Sequence, residues 1–377
     1  MADLRNIKDH YDMIVIGAGP AGSNFSRLAA NSERDILIID GSDGHSKVCG
    51  GLISPDAQDI LARCDISLPN SVLASPQLFS VRTIDLADGL TRYYRRNYVN
   101  VDRNAFDRFM FGMIPDSVDK LCARCNEVKK LKSGFELKLI REGEEKKVTC
   151  SYIIGADGAS SIVRRSLFKN KKIHKYTAIQ QWFEAECENP FYSCVFDSAT
   201  SSGCSWIFFK DGKLIFGGAF EFQKSREAFE AQKAKLIKLG IIEADILSSP
   251  VKTEACLVSR PHFLHGIFRG GNGAFLLGEA AGFISPSSFE GISYALSSAE
   301  ALADAFTRGS NAKSVMRIYN KQTRPLELKI KLRCLKRPFM YDPALRSAVM
   351  RSGLTSIKIK NKTTGGNYES KITLKQA

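Results

Sequence analysis

The stretch YDMIVIGAGPAG, Tyr11 to Gly22, decides how this chain begins. Tyr11 to Ile16 form an apolar run rich in β-branched side chains, glycines follow at once, and Ala21 to Asn31 have a helix-compatible composition. A second apolar run, Ile36 to Ile39, ends at Asp40, so the segment reads as strand, helix, strand. Within it IGAGPAG has GxGxxG spacing: Gly17 permits a tight turn, Gly19 lets the main chain approach a pyrophosphate, and Gly22 lets the helix pack against the strand. Pro20 and Ala21 lie at the start of that helix, whose free N–H groups suit phosphate oxygens. Asp40, about 18 residues past Gly22, stands where a carboxylate accepts hydrogen bonds from an adenosine ribose. The placement predicts a bound dinucleotide over a glycine-rich turn with no ligand, but the fingerprint alone does not choose between FAD and a nicotinamide.

The 377 residues suffice for two or three packed units, and 44% hydrophobic with 25% charged residues is ordinary globular composition. No apolar run approaches the roughly 20 residues that span a bilayer. The polar start MADLRNIKDH lacks a signal-peptide core, so a cytoplasmic, at most membrane-peripheral, location is expected. Ten scattered cysteines fit reduced thiols better than a disulfide framework. Cys122 and Cys125 make the one CxxC, expected on a surface turn, and His262 with His265 is an isolated pair expected to be structural; no metal site is expected. The formal charge of +14 is concentrated after Asn311, where 16 Lys and Arg face only Glu327, Asp342 and Glu369. Such a tail suits an anionic membrane surface or a phosphorylated substrate, or is simply a solvated helical surface; without an aromatic-interleaved module, nucleic acid is not an expected partner.

Further along, Thr91 to Val101 reads as extended and Asn104 to Ile114 as a helix. Hairpins are predicted from Glu127–Lys132 into Phe135–Ile140 and from there, turning at Glu142 to Glu145, into Lys147–Ile154, a strand that returns to the first sheet. Ala178 to Phe220 alternates, with Asp211-Gly212 as a tight turn, and a helix follows from Lys224 to Leu239. Ile292 to Thr307 is an Ala-rich helix, the remainder is helical and basic, and KNKTTGGNYESK is expected to be a loose end. The pattern predicts an α/β protein: a discontinuous dinucleotide domain (1–80, 100–175, 266–310), an antiparallel sheet domain (81–99, 176–265) and a basic helical C-terminal region (311–377).

Three later segments carry a resemblance. IIGADGASSIVRR, with Gly155, Asp157, Gly158, Ser161 and Arg164, and FLLGEAAG, from Phe275, resemble the second and third FAD signatures of the flavoproteins that include para-hydroxybenzoate hydroxylase-type monooxygenases and geranylgeranyl reductases. VDRNAFD, Val101 to Asp107, is similar to that family's arginine-containing segment. Cys49-Gly50-Gly51, the CSWIFF of Cys204 to Phe209 (similar to a YxWxFP motif), and GFISP leading into Glu290-Gly291-Ile292 resemble the geranylgeranyl reductase-like family, in its CbrA-like branch.

The resemblance implies a Rossmann-like FAD domain interleaved with an antiparallel substrate sheet. It implies that FAD is held by Gly17, Gly19, Pro20, Ala21, Gly22, Asp40, Arg103, Asp157, Gly158, Gly278, Glu279, Gly291 and Ile292. The loop of Cys49, Gly50 and Gly51 would lie at the isoalloxazine, its glycines letting main chain approach the ring and Cys49 supplying a proton. Trp206, Phe208, Phe216 and Phe220 would line an apolar substrate cavity, unless they are core of the sheet. Ser285, Ser287 and Ser288 would assist at the start of the Ile292 helix or be solvated loop. Glu279 departs from the family's aspartate, Cys204 from its tyrosine and Phe209 from its proline. The implied activity is hydride transfer from reduced FAD to a carbon–carbon double bond of an isoprenoid or similar apolar substrate. The alternatives are a flavin monooxygenase and a membrane-surface FAD protein without turnover. With one glycine fingerprint, the electron donor would be a visiting NADPH, docking at Asp157 to Arg164, or another protein.

Overall fold

The computed structural model describes residues 3–41, 47–187 and 190–358 and one further strand near the C-terminus. The elements begin with β1 (His10–Ile16), α1 (Pro20–Ala29), β2 (Ile36–Asp40), β3 (Leu52–Ile53), α2 (Pro55–Arg63), β4 (Leu78–Asp85), β5 (Leu90–Asn100), α3 (Arg103–Gly112) and β6 (Asp119–Cys122). Next come β7 (Arg124–Lys130), β8 (Phe135–Arg141), β9 (Glu144–Gly155), α4 (Ile162–Leu167), β10 (Lys175–Cys187), β11 (Tyr192–Phe196), β12 (Ser205–Lys210), β13 (Lys213–Glu221), α5 (Ser225–Lys238) and α6 (Ala244–Ser248). The chain closes with β14 (Lys252–Ser259), β15 (Gly270–Gly271), β16 (Ala274–Leu276), α7 (Ile292–Arg308), α8 (Ala312–Gln322), α9 (Arg324–Tyr341), α10 (Pro343–Ser352) and β17 (Ile372–Leu374).

The first sheet runs β15-β16-β9-β1-β2-β6, with the β7–β8 hairpin attached to β9. β1 pairs in parallel with β2 and β9, and β9 in parallel with β16. Met13 to Ile16 and Ile36 to Ile39 are all buried, as befits strands covered on both faces. Phe25 of α1 meets Phe306 of α7 edge-on at 6.1 Å, joining both helices to one core. Burying each such ring contributes about 2 kcal/mol.

The second sheet runs β14-β10-β13-β12-β11-β4-β5-β3, with β17 against β10. Its alternation places Ser205, Ile207 and Phe209 of β12 toward α5, where Ser205 Oγ donates to Gln232 Oε1. Trp206, Phe208 and Lys210 point the other way. Phe216 and Phe220 of β13 share the α5 face: Phe229 of α5 lies 5.0 Å and 5.8 Å from their rings. These two phenylalanines are therefore core, which corrects their expected place in a substrate cavity. Leu236 of α5 and Ile246 and Leu247 of α6 close the same cluster.

The CxxC is not on a surface turn. Cys122 closes β6 and Cys125 lies in β7, with Ala123 buried between them. His262 and His265 stack at 5.2 Å in a tight loop, where the His262 N–H donates to the His265 carbonyl. In the basic C-terminal region, Arg346 of α10 forms a buried two-toothed pair with Asp85 of β4 at 2.7 and 2.9 Å. Arg333 of α9 reaches Asp56 of α2 at 3.0 Å. The segment expected to be a loose end lies outside the described residues. Among the described residues no helix is long and apolar enough to cross a membrane.

Candidate functional site

β1 ends at Ile16 and the chain turns at Gly17, whose φ of +102° suits glycine alone. A Cβ there would lie 2.6 Å from the Ala156 carbonyl oxygen, and one on Gly22 would lie 1.8 Å from the Gly17 oxygen. Both glycines are demanded by packing within the chain. Gly19 is not. Its φ of −69° is open to any residue, nothing stands within 4 Å of where its Cβ would be, and it begins α1 with no side-chain cap. The first turn of α1 thus presents uncommitted N–H groups to an open space.

The other two signatures meet this turn. Gly17 abuts Ala156 and Asp157 at the end of β9, and the Leu277 N–H donates to the Gly155 carbonyl at 2.9 Å. A Cβ on Gly278 would come within 3.3 Å of the Ala21 side chain. The buried Arg164 ties the turns together by donating to the carbonyls of Ala159 and Ala280. Asp157 Oδ2 accepts from the Ile162 N–H at 2.6 Å, while its Oδ1 is buried without a partner. Burial raises the Asp157 pKa, as expected of a carboxylate awaiting a donor. Gly158, at φ +69°, also faces open space.

Glu279 does something the sequence did not suggest. Its carboxylate pairs with Lys47 and accepts from the Ser259 N–H at 2.5 Å, so it joins the loop after β2 to β14. The extra methylene relative to aspartate is spent on protein contacts. Ser285, Ser287 and Ser288 likewise bond among themselves, with Ser285 Oγ 3.2 Å from Ser287 Oγ and 2.9 Å from Ser288 Oγ. Gly291 and Ile292 stand at the start of α7 without a side-chain cap.

Arg103, first residue of α3, holds Asp107 through Nε at 3.0 Å to each oxygen. It also faces Cys49. Burial pushes the Cys49 thiol up, but Arg103, the Gly51 N–H and Lys47 outweigh it and leave the pKa below the ordinary thiol value. Cys256, whose Sγ lies 3.7 Å from the Val48 carbonyl, is by contrast pushed up to about 11 by burial. Arg103 and Lys47 act on both thiols, but only at Cys49 do they, with the Gly51 N–H, outweigh burial. Asp40 closes β2 on the same side; burial raises the Asp107 pKa, Arg103 opposes that, and Asp40 adds to it.

The glycine pair beside Cys49 has a packing cause. A Cβ on Gly50 would lie 3.1 Å from the Phe208 ring, and one on Gly51, at φ +65°, 2.2 Å from the Val101 oxygen. Lys210 Nζ donates to the carbonyls of Gly50 at 2.7 Å and Val101 at 2.5 Å, pinning the loop to β12. The bare backbone thus fits the protein before any ligand. Trp206, on the same face, donates from Nε1 to Gln180 Oε1 at 3.2 Å. Sequence reasoning missed Lys210, although its parity with Trp206 and Phe208 in SWIFFK was visible. It also missed Glu290, which accepts from Arg96 at 2.8 Å and Tyr98 at 2.6 Å across 190-odd residues of chain.

Burial depresses the Lys210 pKa from 10.5 to about 8. Below pH 8 its charge is present folded and unfolded, and burying it is a standing cost. Between pH 8 and about 10.5 the folded chain has released a proton that the unfolded chain keeps, so stability rises with pH. The rise amounts to about 3 kcal/mol. In urea melts from pH 7 to 10.5, the wild type should gain that much on Lys210→Met; parallel curves would show that Lys210 is not buried as charge.

The arrangement was compared with known proteins. The profile described as FAD binding domain matches residues 133–330. Protein CbrA of Escherichia coli strain K12 is 40% identical over 355 residues, covering 93% of this chain and 98% of that one. Among solved structures, a geranylgeranyl bacteriochlorophyll reductase-like protein from Thermoplasma acidophilum superposes with a TM-score of 0.72 at 19% identity, covering 90% of this chain and 91% of its own. PqsL, titled a probable FAD-dependent monooxygenase from Pseudomonas aeruginosa, gives 0.66 at 15% identity over 91% and 100% of the two chains. The residues fit FAD: the space above Gly19 suits a pyrophosphate on the α1 N-terminus, and the partnerless Asp157 Oδ1 suits a hydroxyl donor.

Proposed function

The chain belongs to the FAD binding domain family, and on that premise we propose that it is an oxidoreductase that saturates a carbon–carbon double bond of an isoprenoid-like, apolar substrate. FAD, once reduced, supplies the hydride. The observation that carries the reading is the cluster of Cys49 with Arg103 and Asp107, a thiol acidified against its burial, in a loop whose Gly50 packs on Phe208, on the same sheet face as Trp206. Hydride delivered to one carbon requires a proton at the other, and Cys49 Sγ–H is the donor. Arg103 then stabilises the thiolate left behind, and Asp107 keeps Arg103 aimed at it. Phe208, fully buried, backs the loop and excludes water behind it, while the part-buried Trp206, its N–H already bonded to Gln180, offers an apolar chain a surface. Gly17, Gly19, Pro20, Ala21, Gly22 and Asp40 would hold the adenylate and pyrophosphate portion, and Asp157, Gly158, Gly278, Gly291 and Ile292 the remainder. Electrons would come from a visiting NADPH or a partner protein.

The Thermoplasma protein's name supports a reductase. The likeness to PqsL supports a second reading, oxygen insertion into an apolar or aromatic substrate. Mixing the reduced holoprotein anaerobically with a polyprenyl alkene should reoxidise the flavin and yield product richer by two hydrogens per double bond. Turnover that requires oxygen and adds an oxygen atom would select the monooxygenase instead.

A further inference from the structure

α9 is apolar on two opposite sides. Ile330 is fully buried against the first core, yet Leu328, Leu332, Leu335 and Phe339 are 59%, 57%, 57% and 51% exposed. Their spacing of four, three and four residues puts all four within an arc of about 60° on the outer ridge of the helix. The loop after β14 meets α9 on a different side, where Cys334 Sγ is 3.7 Å from the Pro261 oxygen. Four large apolar side chains in one exposed row are not what a solitary soluble surface carries.

The same projection places Arg324 and Lys331 on one flank of the ridge and Lys329 and Lys336 on the other. Over its length α9 has six Lys and Arg against the single Glu327; Lys329 and Arg333 pair with Asp56 of α2 and Lys331 with Glu327, so Arg324 and Lys336 carry the charge of the two flanks. That charge decides between occupants. A second copy would bring an equally basic helix against this one and be repelled. An acidic peptide would match the charge, but peptide helices dock in grooves, and this is a convex ridge. A bilayer accepts a ridge into its headgroup region and presents anions to Arg324 on one flank and Lys336 on the other.

We propose that the outer ridge of α9 is the surface by which this protein sits on an anionic membrane. The proposal does not depend on the reaction inferred above, although an apolar substrate would be reached from such a surface.

The test is sedimentation of the full-length, FAD-loaded protein with vesicles of phosphatidylcholine alone or mixed with phosphatidylglycerol. Partition should be at least about tenfold stronger on the anionic vesicles, and Leu332→Ser with Leu335→Ser should lower it by about tenfold. That variant must keep its flavin and its elution volume, which exposed positions permit. A Lys336→Glu variant should weaken binding to the anionic vesicles only. Three outcomes overturn the proposal: vesicle binding indifferent to the serine pair, a wild-type dimer that the serine pair dissociates without any vesicle binding, or equally serine-sensitive binding to polyglutamate. Loss of reductase activity with vesicle binding intact would count against the proposed reaction alone.

Discussion

A Gly19→Val protein is expected to purify folded and colourless. The backbone of Gly19, at φ −69° and ψ −173°, is extended and open to any residue, and no atom of the chain lies within 4 Å of the position its Cβ would take. Folding therefore gives no reason for glycine at this position; a ligand does. A branched side chain there would occupy the space above the first turn of α1, where N–H groups meet a pyrophosphate. Losing two charge-assisted hydrogen bonds costs about 3 kcal/mol or more, so FAD affinity should fall at least about 100-fold. The melting temperature of the apoprotein should barely move. Gly22→Ala provides the contrast, since its Cβ would lie 1.8 Å from the Gly17 oxygen and the helix would have to leave the strand. That variant should lose the fold along with the flavin. Stoichiometric flavin absorbance in folded Gly19→Val would remove the phosphate cradle from the account.

The same contrast explains what could be read from the residues alone. The βαβ start was legible because its signal is local: apolar runs, three glycines and a terminal aspartate within thirty residues. The hairpins at Ser133-Gly134 and Asp211-Gly212 were legible for the same reason, and Gly134, Gly212 and Asp211 do adopt positive φ. Period-two alternation showed that β12 and β13 have two faces, but both faces carry phenylalanine. Nothing local distinguishes the ring that meets Phe229 of α5 from the ring that meets Gly50. Only the fold assigns Phe216 and Phe220 to one and Phe208 to the other. Long-range ion pairs were hidden altogether. Glu279 was expected to serve a ligand, and its bonds to Lys47 and Ser259 depend on two loops that the topology, and no sequence spacing, brings together.

For the chemistry, Cys49→Ala should bind FAD normally while substrate-dependent reoxidation slows by about 100-fold or more, the usual worth of a positioned acid. The alternative is that Cys49 merely fills space in a loop that is already fixed by other contacts. Lys210 holds Gly50, the Val101 N–H holds Gly51 at 2.9 Å, and Phe208 abuts Gly50, so removing one sulfur leaves the loop in place. A space-filling role therefore predicts almost no change. Serine separates the two further: it matches the volume closely but is a far weaker acid, so Cys49→Ser should be nearly as slow as Cys49→Ala. The guanidinium provides an independent handle. Arg103 opposes the effect of burial on the thiol, so Arg103→Gln should raise the pKa of Cys49, read from thiolate absorbance, and move the high-pH limb of the reoxidation profile upward with it. If reoxidation in the alanine variant keeps the wild-type rate and its fall at high pH, where a thiol donor would be lost, the proton comes from water and the Cys49–Arg103–Asp107 cluster serves only to shape the loop.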